Sequence, residues 1–311
     1  MYRVNSGILL VDKPQGLTSH DVVARTRRLA GTRKIGHAGT LDPMATGLLV
    51  LGVNSATRLL TYLVGLDKEY VATIRLGAAT TTDDAEGELL GAASADLLDA
   101  VDDERIAAGV LKLTGEIQQV PSTVSAIKVD GKRAYQRVRD GEQVELKSRA
   151  VTISAFEVVD LRRAPTGGED GDGFIDLDVR VECSSGTYIR ALARDLGVDL
   201  GVGGHLTALR RTRIGRFSVA EAATLEDLDV ASALIGAADA AGRAMPVVHL
   251  TAQQAVDLGH GKRIDAEAAP ATGPGDPIAA VAPDGRLVAI VERRRDGLKV
   301  VAGFPADEAA S

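Results

Sequence analysis

Tryptophan is absent from this sequence, cysteine occurs once, at Cys183, and five Tyr and four Phe bring aromatics to only 3% of 311 residues. A single cysteine excludes an internal disulfide and a zinc site built on several thiolates, and it suits a reducing compartment; Cys183 is expected as a buried thiol. The five histidines (His20, His37, His205, His249, His260) include no i, i+4 pair, and Asp83-Asp84-Ala85-Glu86-Gly87-Glu88 lacks the spacing of an EF-hand, so no metal site is expected and that acidic run reads as a solvated loop. There is no G-x-S-x-G elbow and no dinucleotide fingerprint after a strand, which sets aside ester hydrolysis and nicotinamide redox chemistry. The opening MYRVNSGILLVDKPQG has too short an apolar run for a signal peptide or a membrane span, so a cytoplasmic protein is expected.

What is present is an ordinary globular composition, 45% apolar and 25% charged, over a length that suits one large core plus a small second domain. The net charge of −7 argues against a polyanionic partner until its distribution is read. Residues 1–60 carry eight Lys and Arg against three Asp, residues 125–150 seven cations against four acids, and residues 186–216 six against two. Acid gathers in 83–105, 157–178 and 221–239. Such segregation fits one face meeting polyanion while the rest stays soluble, and it equally fits solvated helix faces.

Gly7 to Val11 reads as a strand running into the turn Asp-Lys-Pro-Gln-Gly, after which Ser19 caps a helix with Val22, Val23 and Leu29 toward the core and Arg25, Arg27 and Arg28 outward. Residues 47–53 and 69–77 read as strands and 103–114 as a helix. Residues 119–150 mix Pro121, Gly131 and Gly141 with cations and read as a partly extended insertion. Residues 151–160 and 174–183 alternate as paired strands, and a helix closed by glycine follows Tyr188. A boundary is placed at Pro246, dividing the chain into 1–245 and a β-rich module of 246–311.

Three segments are candidates for chemistry. Gly36-His37-Ala38-Gly39-Thr40-Leu41-Asp42-Pro43-Met44-Ala45-Thr46-Gly47 surrounds one aspartate with three glycines and a proline. Either Asp42 bonds local amides in a turn, or the backbone is bent to present its carboxylate. Ser184-Ser185-Gly186-Thr187-Tyr188-Ile189-Arg190 is read as the end of a strand, whose alternation puts Tyr188 and Arg190 on one side; Arg190 is either a structural ion pair or a clamp for an acid near a flat base. Lys68-Glu69-Tyr70 opens a strand, where Tyr70 is either a cross-strand ring or a stacking platform.

In order and together, GILLVDKPQGLTSHDVV, KIGHAGTLDPMATGLLVLGVNSATR, KEYVATIRLG, QVPSTVSAIKVDGKRAYQRVRDG, SSGTYIRALARDLG and HLTALRRTRIGRF resemble the bacterial TruB family of tRNA pseudouridine synthases over residues 7 to about 228. The resemblance implies a mixed α/β (α+β) pseudouridine synthase fold with a central, mostly antiparallel sheet flanked by helices, plus a small PUA-like C-terminal domain. It implies isomerisation of uridine-55 in the T-arm of elongator tRNAs by base flipping, in a monomer without cofactor or metal. By position, Asp42 matches the catalytic aspartate, Tyr70 the ring stacked on uracil, and Arg190 the partner of the aspartate. Tyr188 and Leu209 match the uridine pocket, and His37 a residue entering the RNA loop. Lys13 and Pro14 match a supporting motif. The 119–150 insertion, with Lys128, Lys132 and Arg133, resembles the segment that closes over the RNA loop. A tRNA-folding chaperone without chemistry and a guide-RNA-dependent synthase stand as rivals; the long insertion favours stand-alone tRNA recognition.

Overall fold

A computed structural model of the chain describes residues 4–121, 128–129, 132–133, 147–164, 173–267 and 269–305. Two compact units divide it: residues 1–66 together with 213–311, and residues 67–212.

In the first unit the apolar run β1 (Gly7–Lys13) is buried along almost its whole length. It pairs antiparallel with β3 (Thr46–Val53), from Gly7 opposite Val53 to Lys13 opposite Gly47, and β2 (Ile35–Ala38) lies along β3 as well. A near-continuous apolar strand of this kind is what burial on both faces requires. Between β1 and β2 runs the helix Ser19–Ala30, which Gly31 ends in the left-handed conformation. Its N-cap is Thr18 rather than Ser19: the Thr18 hydroxyl accepts from the Asp21 amide while the Asp21 carboxylate accepts from the Thr18 amide, a reciprocal capping box. Val22 and Val23 face the core as expected, whereas Leu29 is 53% exposed and Thr26 takes an inward position. The buried stripe falls at 19, 22, 23, 26 and 30, the helical period that excludes position 29.

After the short strands β13 (Phe217–Ser218) and β14 (Ile235–Gly236), the C-terminal β runs form a four-stranded sheet in the order β15 (Val247–His249), β16 (Pro277–Val281), β17 (Leu287–Arg294) and β18 (Gly297–Gly303), with β15 and β16 parallel. One apolar cluster joins Ile8, Leu10 and Leu48 to Ala279, Val281, Leu287, Ile290 and Phe304.

The second unit is a run of strands in the order β12 (Gly204–Ile214, whose last two residues belong to the first unit), β4 (Lys68–Leu76), β11 (Phe174–Cys183), β10 (Arg149–Ala164) and β7 (Gly115–Gln119). The pairs β4–β11, β11–β10 and β10–β7 are antiparallel. The short pair β5 (Ala78–Thr80) and β6 (Leu89–Ala92) follows β4, and the helices Asp103–Lys112 and Ile189–Leu200 complete the unit. The fold is therefore mixed α/β, and Cys183 is a buried thiol as expected. No helix among the described residues is long and apolar enough to cross a membrane.

Candidate active site

Asp42 and His37 belong to the first unit; Tyr70, Tyr188, Arg190 and Leu209 belong to the second. Asp42 is half-buried in the loop between β2 and β3, where its carbonyl accepts from the Ala45 amide in a tight turn. The loop is held from both sides of the aspartate. On one side the buried Ser19 hydroxyl accepts from the Leu41 amide at 2.9 Å and lies 3.1 Å from the Leu41 carbonyl, to which it donates. Ser19 is the first residue inside the helix, and Thr18 performs the capping. On the other side the Lys13 ammonium donates to the carbonyls of Pro14 (3.0 Å), Leu17 (2.6 Å) and Pro43 (3.3 Å). The Gly16 amide adds a bond to the Pro43 carbonyl at 2.9 Å; Gly16 has a φ of 82°, which a side chain would resist.

Lys13 is fully buried, and a buried ammonium is tolerable only where oxygens surround it. The Asp-Lys-Pro-Gln-Gly turn and the Leu41-Asp42-Pro43 segment are thus one hydrogen-bonded assembly, and Asp42 stands on a backbone fixed at the residues before and after it. His37, on β2, meets the exposed His20 edge to face, with ring centroids 5.5 Å apart at 82°.

In the second unit Tyr70 is buried on β4, opposite Val181 of β11, and Leu209 is buried on the neighbouring strand β12. Tyr188 and Arg190 do not lie on a strand, and strand alternation does not relate them. Ser184-Ser185-Gly186 ends β11 in a turn, with Gly186 at a φ of 89°; Tyr188 is the N-cap of the helix Ile189–Leu200 and Arg190 sits in its first turn.

The Arg190 guanidinium is buried and donates to the Thr82 carbonyl at 3.0 Å and to Asp84 Oδ2 at 3.1 Å. One helical turn later Arg194 reaches Asp83 Oδ2 at 3.3 Å. The acidic run is therefore not a solvated loop at its start: Asp83 and Asp84 are buried, and the Thr82 hydroxyl and the Glu86 amide both donate to Asp84 Oδ1. Two arginines spaced i, i+4 on one helix face are matched to two consecutive aspartates. That spacing, and the hydroxyl-rich Thr80-Thr81-Thr82 before the acids, are the sequence signals that could have marked Asp84 as a buried partner of Arg190.

Lys68, at the start of β4, is buried beside the buried Arg211; loss of hydration, then the Arg211 charge, lowers its pKa to about 8. Gln119, the last residue of β7, is 1% exposed and its carboxamide bonds both the amide and the carbonyl of Tyr188. Nothing in the sequence marked it. The backbone of Lys128, Lys132 and Arg133 forms the short antiparallel pair β8 (Lys128–Val129) and β9 (Lys132–Arg133), while most of the expected RNA-closing insertion lies outside the described residues. No group of three or more His, Cys, Asp or Glu suited to a metal ion occurs among the described residues.

The whole-chain fold recurs in solved structures. A chain of "Crystal Structure of a Cbf5-Nop10-Gar1 Complex" is 26% identical with a TM-score of 0.71, covering 96% of this chain and 84% of that one. A chain of "Structure of H/ACA RNP bound to a substrate RNA containing 2'-deoxyuridine" gives 24% identity and the same TM-score, covering 96% and 85%. The fold is that of the pseudouridine synthases. Residues 27–189 match the TruB family pseudouridylate synthase N-terminal domain, residues 190–245 the tRNA pseudouridylate synthase B C-terminal domain, and residues 245–305 the tRNA pseudouridine synthase II C-terminal domain. The tRNA pseudouridine synthase B of Leifsonia xyli subsp. xyli is 61% identical over the full length of both chains. That of Thermobifida fusca is 56% identical over 96% of this chain and 98% of its own, and that of Streptomyces coelicolor 53% over 96% and 97%. The chain belongs to the TruB family of pseudouridylate synthases.

Proposed function

We propose that the chain converts uridine-55 in the T-arm of elongator tRNAs to pseudouridine, with Asp42 as the catalytic carboxylate. The reaction breaks the N1–C1′ bond, turns the retained uracil and forms C5–C1′; C5 releases a proton and N1 gains one. It is an isomerisation, balanced without redox partner or metal, and it differs from glycoside hydrolysis, which usually recruits a second carboxylate and a water. Asp42 supplies the ionised oxygen that each route requires, as nucleophile toward the sugar or the uracil ring or as base toward a sugar proton. Arg190 is the partner of that aspartate, Tyr70 stacks on the flipped base, Tyr188 and Leu209 line the uridine pocket, and His37 enters the RNA loop. Lys13 and Pro14 hold the acid's loop, and Lys128, Lys132 and Arg133 serve the RNA backbone. Residues 1–245 form the catalytic domain and 246–311 a PUA-like module, in a cytoplasmic monomer. Flipping a loop nucleotide costs a few kcal/mol, which stacking of about 1–3 kcal/mol and phosphate contacts offset.

The observation that carries the reading is the full-length 61% identity to a tRNA pseudouridine synthase B, with Asp42 in a loop anchored at its two neighbours. The deciding measurement is tritium release from a [5-³H]uridine tRNA transcript by the purified chain alone. Release with pseudouridine at position 55 is expected; binding without release would leave a chaperone. The likeness to a chain of "Crystal structure of the archaeal box H/ACA sRNP Nop10-Cbf5 complex", 25% identical with a TM-score of 0.69, favours a second reading, a synthase acting within a ribonucleoprotein, which the same experiment separates because it supplies no guide RNA or partner.

A further inference from the structure

We infer that Gln119 is a positioning residue for the nucleotide pocket, its carboxamide setting the backbone of Tyr188 and the first turn of the helix that carries Arg190. The inference rests on the roles given to Tyr188 and Arg190 under the proposed function.

The Tyr188 amide donates to Gln119 Oε1 at 2.7 Å, and Gln119 Nε2 donates to the Tyr188 carbonyl at 2.9 Å. An amide hydrogen faces only an acceptor and a carbonyl only a donor, so the orientation of the carboxamide is fixed by its partners. The side chain thereby stands in for a neighbouring strand and grips the two peptide planes that flank one α-carbon. Fixing both planes fixes φ and ψ at Tyr188, observed at −105° and 105°, and with them the direction in which its ring leaves the chain.

The residues just before need that grip. Ser184 to Thr187 make a turn through a left-handed glycine, and Tyr188 stands at the N-cap of the following helix without a side-chain capping bond. The grip is anchored, since Gln119 pairs with Arg149 of β10. It is also doubled: the next carbonyl, that of Val120, accepts from Arg194 Nη2 at 2.8 Å, one turn beyond Arg190. The end of β7 is therefore tied at two successive residues to the cap and the first turns of the arginine helix.

The test compares the wild type with Gln119→Ala and Gln119→Glu in single-turnover pseudouridine formation on an unmodified tRNA transcript, with tRNA Kd measured alongside. For Gln119→Ala the saturating rate constant is expected to fall about ten- to a hundredfold, as for a reacting group moved by a fraction of an ångström to an ångström, while Kd changes less than about threefold. Gln119→Glu keeps the acceptor for the Tyr188 amide but, as a carboxylate, has no proton for the Tyr188 carbonyl. Protonated, it regains that donor. Burial at this 1%-exposed position pushes a carboxyl above its ordinary range, so the rate relative to the wild type at the same pH is expected to rise as pH falls from about 8 to about 5.

A loss of stability alone would not separate rate from Kd in this way. Should Gln119→Ala fail to fold, the pH course of Gln119→Glu decides. Wild-type rates in both variants, a flat pH course for Gln119→Glu, or a loss confined to Kd each overturn the inference. Absence of pseudouridine from the wild-type reaction overturns instead the functional reading beneath it.

Discussion

Two buried cations, one in each unit, find their partners in different ways. Lys13 grips main chain: three carbonyls from the turn after β1 and from the residue following Asp42. Arg190 grips a side chain, the buried carboxylate of Asp84, and one carbonyl beside it. A flexible ammonium that collects carbonyls shapes a loop, while a planar guanidinium facing a carboxylate sets charge and direction. The first unit thus uses its buried cation to hold the loop of an acid, and the second to orient the helix Ile189–Leu200.

Asp42→Asn keeps the size and the loop bonds of the backbone but loses the ionised oxygen, so single-turnover formation of pseudouridine is expected to fall at least about a thousandfold, roughly 4 kcal/mol in barrier. Filter binding of tRNA should stay within about threefold. Comparable turnover in that variant would remove Asp42 from the chemistry and leave its anchored loop unexplained.

Next in size is Asp84→Ala, which deprives a buried guanidinium of a carboxylate. Denaturant unfolding should show a loss of about 3–5 kcal/mol, the scale for breaking one partner of a buried pair. Lys13→Met tests the opposite unit. Methionine fills the space of the stem and abandons three carbonyls, for which about 1–3 kcal/mol is expected, with the Leu41 and Ala45 amides exchanging hydrogen faster than those of β1. If Lys13→Met proves the more destabilising of the two, the distinction between a loop-shaping and a charge-pairing cation is wrong.

The smallest effect concerns Lys68. Its pKa in the folded chain is lowered to about 8 from 10.5 by burial and by Arg211. Between those values the unfolded chain holds a proton that the folded chain has shed, so stability contributed by this group rises with pH across that window and is flat below it. Relative to Lys68→Met, which does not titrate there, the wild type is expected to gain stability between about pH 8 and pH 10; a constant difference in unfolding midpoints would place the Lys68 ammonium in a wetter setting than its burial indicates.

Much of this was legible from residues alone. The apolar run of β1, the alternation of β4 and β11 and the glycine-closed helix after Tyr188 follow from period and punctuation, and the structure has them within a residue or two. Asp42 stood out because glycine and proline crowd around it. What escaped were pairings made across sequence distance. Asp84 and Arg190 are 106 positions apart, and Gln119 and Tyr188 are 69. A carboxylate in a Thr- and Gly-containing segment looks solvated until a helix from elsewhere covers it, and a glutamine at a strand end carries no local mark of burial. Reading Tyr188 and Arg190 as strand residues failed for a related reason: β11 stops at Cys183 and a turn through Gly186 follows, earlier than the β-favouring Thr and Tyr suggest.

The cluster that joins Ile8, Leu10 and Leu48 to Ile290 and Phe304 has a consequence for how the molecule is made. During translation the strands that frame Asp42 leave the ribosome early, yet the apolar partners on β16 and β17 follow only after more than two hundred further residues. Until then the nascent chain carries an uncovered greasy flank, and such a flank is where aggregation and chaperone capture begin. Completion of the acid-bearing half is therefore a late event in biosynthesis, timed by the last strands to emerge.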